Sequence, residues 1–143
     1  MGVSLEGVRI PISRRRVADI ARSVFRAERA MHALVSVAFI TNPAMRALNR
    51  AHLRRHGDTD VIAFAYRQAG RRSPVVGDVY IAPGVARAFA RANGIHVREE
   101  VIRLVVHGAL HVLGYDHVAG PARTRGLMWE RQERLVRRLA PHR

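Results

Sequence analysis

Neither cysteine nor lysine occurs among the 143 residues, and only 11 are acidic. Without cysteine there is no disulfide framework, no thiolate nucleophile and no thiolate metal ligand, so any metal has to be held by histidine and carboxylates. The missing lysine means that all 25 basic residues are arginine. Together with abundant alanine, that choice is what a genome rich in G and C imposes, and it says little about function. The excess of base over acid says more. A formal net charge of +14 suits a polyanionic partner such as RNA or DNA. No apolar run is long enough for a membrane span, and the first residues lack the apolar core of a signal peptide, so a cytoplasmic, non-membrane protein is expected. At this length and with 48% hydrophobic residues, a single soluble domain over 1–143 with a buried core is expected.

Periodicity supplies the elements. Val8-Arg-Ile10-Pro-Ile12 alternates as a short strand, irregular or at an edge because of Pro11. Arg14, Arg15 and Arg16 lead into a helix over 17–33, with Val17, Ile20, Ala21, Val24 and Phe25 as its stripe. Residues 33–40 read as a buried strand. Thr41-Asn42-Pro43 caps a helix that carries Met45, Leu48 and Asn49 and fades near His52-Leu53. Strands follow at 59–65 and 75–81, the second interrupted by Gly77-Asp78, with an exposed connection over 67–74. Pro83 opens a helix through Val85, Phe89 and Ala92 that Asn93-Gly94 stops. The helix over 98–113 is apolar nearly all round beyond its first turns, which belongs at the middle of a domain. A last helix runs from 122 to 139, with Leu127, Met128, Leu135 and Leu139 turned inward and an arginine-rich outer face. The expected architecture is α+β, with a mixed four-stranded sheet, helices packed on it, and the helix of residues 98–113 central.

That central helix carries the strongest chemical signal. His107, His111 and His117 fall in the pattern H-x-x-x-H-x-x-G-x-x-H. On a helix His107 and His111 point the same way, one turn apart. Gly114 can end the helix in a left-handed turn and bring His117 back towards them. Three neutral imidazoles make an open divalent-metal site with a position left for water or substrate. Zinc suits three imidazoles, although nickel, copper and iron also accept them. Zinc proteases share this spacing but carry Glu directly after the first His as general base, where this chain has Gly108.

The motif His107-Gly-Ala-Leu-His-Val-Leu-Gly-Tyr-Asp-His117 resembles the signature of the YbeY-type rRNA maturation factors, bacterial zinc-dependent endoribonucleases. The resemblance extends to Leu48-Asn49, Thr59-Asp60-Val61, Gly77-Asp78-Val-Tyr-Ile81, Met128 and Gln132-Glu133, and spans residues 8–139. It implies one Zn2+ per chain, held by His107, His111 and His117 at the end of a cleft. It also implies cleavage of single-stranded RNA in maturation of the 16S rRNA 3′ end and ribosome quality control. The expected partners are rRNA and the ribosome or its small subunit, with DNA not expected. The family's loop arginine falls in ungapped register on Leu53, which makes Arg54 and Arg55 candidates for its role. Asp58 and Ala63 stand where the family usually has Pro and Ser.

Metal-assisted phosphodiester hydrolysis follows from such a site. Arg54 or Arg55 would offset charge on the phosphate. Asp116 is a candidate for proton transfer, or an outer acceptor that orients a ligand imidazole. Asp60 and Asp78 could orient ligands in the same way, or satisfy backbone donors at strand ends. The rival readings are an RNA-binding assembly factor with a structural metal and a metalloprotease. Gly108 argues against the protease.

Overall fold

A computed structural model describes residues 1–30, 32–53, 59–66, 75–115 and 122–140, with side chains from 126 onward in the last segment. The elements are β1 (Gly2–Leu5), α1 (Arg14–Ala27), β2 (Ala33–Phe39), α2 (Asn42–Leu48), a π-helical turn (Asn49–Leu53), β3 (Val61–Tyr66), β4 (Val75–Ile81), α3 (Pro83–Asn93), α4 (Val97–Val112) and α5 (Ala122–Leu139). The sheet order is β1-β2-β4-β3, parallel except for β3, which runs antiparallel to β4. The expected α+β class with a mixed four-stranded sheet is the one observed.

One face of this sheet is apolar. Val35, Val37 and Phe39 of β2 and Val79 and Ile81 of β4 are buried, with Val37 opposite Val79 and Phe39 opposite Ile81. They share one core with Val17, Ile20 and Val24 of α1, Val101, Val105 and Leu110 of α4, and Met128 and Leu135 of α5. Helix α4 touches α1, α3, α5, β3 and β4, so it is the central helix that its apolar character predicts. Two glycines set how near it comes to the sheet. A Cβ on Gly77 would lie 2.6 Å from Val112 Cγ1, and one on Gly108 would overlap the methyl groups of Val79. On the other face, a smaller cluster of Ala38, Ile40, Met45 and Ile62 lies against Leu48 of α2.

Four sequence expectations need correction. Residues 8–12 are not a strand; Gly7, at φ 73°, follows β1, and Val8, Ile10 and Ile12 cover the core edge from a loop. Strand β1 lies earlier, with Val3 paired to Val37. Helix α1 ends at Ala27 rather than 33: Arg29 turns left-handed at φ 59°, and the Ala30 amide donates back to the Phe25 carbonyl at 2.8 Å. Strand β4 runs unbroken through Gly77-Asp78. One inward assignment also reverses. Leu127 of α5, expected inward, is exposed, while Val136 of the same helix is buried; the buried side of α3 is formed by Ala86 and Ala90. Of the triple arginine, Arg14 and Arg15 are exposed, while Arg16 donates to the Leu139 carbonyl and ties the end of α5 to the start of α1. Among the described residues no helix is long and apolar enough to cross a membrane.

Candidate metal centre

From Val101 to Val112, α4 buries every residue except Arg103, His107 and His111. With Glu99 they stand four apart and line one face of the helix. The rest of its surface is committed to the core, so this stripe is the side from which α4 can do chemistry. The His107 and His111 rings have centroids 4.8 Å apart and are inclined by 66°. Two imidazoles sharing a tetrahedral zinc, each nitrogen about 2.0–2.1 Å from it, hold their centroids about 5 Å apart. The observed centroid separation is of that size.

After His111 the helix closes as the sequence predicts. Gly114 has φ 106°, its amide donates to His111, and the Tyr115 amide donates to Leu110 at 3.1 Å. Tyr115 is tethered: its hydroxyl donates to Glu28, the residue that caps the end of α1, at 2.5 Å, and Arg131 of α5 lies 3.6 Å from the other Glu28 oxygen. That hydrogen bond, with burial, raises the Tyr115 pKa. The chain therefore leaves α4 from a point fixed to two other helices. His117, Asp116, Arg54 and Arg55 lie outside the described residues, and among the described residues no three metal-ligating side chains are grouped.

Behind the histidines is a polar network. His107 Nδ1 is 2.7 Å from Gln132 Oε1, and Gln132 Nε2 donates to Glu133 Oε2 at 3.1 Å. Arg103 grips both Glu133 oxygens, at 2.9 and 3.1 Å, and also bonds Glu100 at 2.9 Å and Glu99 at 3.1 Å. Burial alone would push the Glu133 carboxyl up, but Arg103, helped by Gln132 and Arg137, holds it below its ordinary value. Glu100 goes the other way, its burial outweighing the pull of Arg103. Among the described residues no buried side-chain nitrogen or oxygen lacks a hydrogen-bond partner.

A cavity of about 320 Å³ opens beside His107, with Asp60 and Gln132 in its wall and the exposed rings of Phe89 and Trp129 also lining it. Burial raises the Asp60 pKa, opposed by His107 and by the backbone amides of Asp60 and Val61. Asp60 thus lies near His107, just before β3. Asp78 does not. It alternates with Gly77 and Val79, which face α4, and takes hydroxyl bonds from Ser36 at 2.5 Å and Tyr66 at 2.6 Å on the opposite face. The roles of Arg103 and Glu100 were not read from the sequence. The fourfold spacing of Glu99, Arg103, His107 and His111 on an otherwise apolar helix was the available signal.

The arrangement is that of an α+β domain whose central helix presents two imidazoles, next to a last helix with an arginine-rich outer face. The family model described as Endoribonuclease YbeY matches residues 5–140. Proteins of that name from Kineococcus radiotolerans and Geobacillus kaustophilus are 40% and 36% identical, over 84% and 73% of this chain and 73% and 71% of their own. One from Sulfurihydrogenibium is 30% identical over 90% of this chain and 84% of its own. A solution structure from Thermotoga maritima has the same fold, with a TM-score of 0.65 at 20% identity, covering 96% of this chain and 87% of that one. The chain belongs to the YbeY endoribonuclease family.

Proposed function

We propose that this chain is a zinc-dependent endoribonuclease specific for single-stranded RNA, acting in the cytoplasm on the 3′ end of 16S rRNA and in ribosome quality control, in association with the small subunit. The observation that carries this reading is the His107–His111 pair, set side by side on the polar stripe of α4. His107, His111 and His117 would hold the metal. When bound, zinc polarises a phosphoryl oxygen and lowers the pKa of a water to about 7. The protein's own part is to orient and to neutralise. Gln132 holds the His107 ring through Nδ1. Arg54 or Arg55 would offset charge on the phosphate, and Asp116 is the candidate for proton transfer. Exposed Arg131, Arg134, Arg137 and Arg138 on α5 give the RNA backbone a cationic surface.

Gly108 supports hydrolysis of RNA over peptide. The base-bearing Glu of the zinc proteases would have to occupy a position with no room for a Cβ. The test is cleavage of a single-stranded 16S 3′-end RNA, with zinc content measured on the same samples. The His111→Ala protein should keep its fold, lose zinc and cleave at least ~100-fold more slowly, since loss of an outer-shell partner alone costs up to about that much. Cleavage undiminished in His111→Ala would remove the enzymatic reading. RNA binding with no cleavage in any metal would leave an assembly factor.

A further inference from the structure

The network behind His107 forms a chain of hydrogen bonds in which each step leaves one choice. Arg103 engages both oxygens of Glu133 and keeps that carboxyl ionised, so Glu133 can only accept. Its neighbour across the 3.1 Å contact must then be the amide NH2 of Gln132. With its nitrogen turned to Glu133, Gln132 presents its carbonyl oxygen to His107 Nδ1, 2.7 Å away. A carbonyl cannot donate, so Nδ1 must carry the hydrogen. In the neutral ring Nε2 then bears the lone pair.

We infer that Gln132 is a positioning residue that fixes the tautomer of His107, with Glu133 and Arg103 setting the direction of its amide. The inference rests on His107 being a metal ligand, as proposed above, and supplies what that ligand needs: a ring oriented, and its lone pair chosen, before any metal arrives. Metal-bound histidines in general depend on such an outer acceptor, a carboxylate or a carbonyl. Here the acceptor is a neutral amide, and the negative charge stands one residue further back. The His107 ring is therefore backed by an oxygen without a full charge on it, while Arg103 consumes the charge of Glu133. Gln132 is 4% exposed and bridges α5 to α4, so it also joins the helix carrying the ligands to the arginine-rich helix.

The test reads the tautomer directly. Metal-free, 15N-histidine-labelled protein is examined by long-range proton–nitrogen correlation above the histidine titration range, with His107 assigned through the spectrum of His107→Ala. Zinc affinity is measured in parallel by competition with a chromophoric chelator. Wild type should show the Nδ1–H form. Gln132→Leu, which removes the acceptor, should lose that preference and bind zinc about 10- to 100-fold more weakly. The exchanged pair Gln132→Glu with Glu133→Gln restores an acceptor for Nδ1 at unchanged net charge. It should keep the Nδ1–H form and bind zinc within about threefold of wild type, since the outer-shell bond is retained.

A purely structural role for Gln132 would lower the melting temperature of Gln132→Leu without moving the tautomer, and that result overturns the inference. So does an Nε2–H ring in the wild type. If Gln132→Leu does not fold, the exchanged pair decides. The Nδ1–H form in both it and wild type supports the assignment, and a folded exchanged pair that has lost the form overturns it. Wild-type protein with the Nδ1–H form but no zinc binding would sink the metal reading while leaving the control of the tautomer standing.

Discussion

The two sides of α4 are held by opposite kinds of force. Towards the sheet, Gly108 and Val112 press against Val79 and Gly77 of β4, and Val105 and Ala109 are buried in the same apolar core, where packing rather than directional bonding holds the helix. Away from it, Glu99, Arg103, His107 and His111 are organised by hydrogen bonds and charge and stay partly open. A packed surface is intolerant of volume, whereas a polar stripe is sensitive to the identity of a few atoms. One helix can thus anchor the fold and present the chemistry, because substitutions on its two sides fail in different ways.

The difference is sharpest at Gly108. Gly108→Ala should gain about 1 kcal/mol in helix propensity yet destabilise the protein by about 2 kcal/mol net, because its Cβ enters the space of Val79. Urea unfolding would measure this. The double substitution with Val79→Ala should be less destabilised than the sum of the singles by about 1 kcal/mol, as expected of residues in contact. Strict additivity would mean that the helix does not bear on the sheet there.

On the polar side, Glu133→Gln should cost about 1 kcal/mol at neutral pH, since Gln still bonds Arg103 but without charge. The sign of its pH dependence is fixed. The folded pKa of Glu133 lies below its unfolded value, so its contribution is complete above the unfolded value and is lost as pH falls through the folded one. Unfolding midpoints of wild type and variant should converge in acid. A gap that persists there would assign the effect to packing. The smallest change is expected at Leu127, on neither side of this contest: Leu127→Ser should alter stability by no more than ~0.5 kcal/mol by thermal melting.

How far the sequence could be read follows the same division. Element order, the bounds of α5 and the pairing of His107 with His111 were legible, because period and spacing along one helix are local properties. Which face of a helix turns inward was legible only where the stripe was strong, as in α1. In α3 the small Ala86 and Ala90 won the contact over Phe89, a choice made by the closeness of neighbouring α4. Strand β1 was misplaced because the apolar alternation at Val8, Ile10 and Ile12 serves a loop, while the strand hydrogen bonds go to Gly2–Leu5. Arg103 escaped notice because its partners come from two helices, and Glu133 lies 30 residues away. Gly108 was read for the Glu it replaces. Its packing against Val79 depends on a sheet that the local sequence does not contain.

That contact also bears on descent. A lineage with three histidines in this spacing stands one codon position away from the zinc-protease arrangement on paper. Here that step is penalised from the first atom, because even a Cβ after His107 enters the space of Val79. Changing Val79 first opens a hole in the core and brings no new activity. The interior of the fold, more than its surface, therefore confines the mutational routes open to this helix.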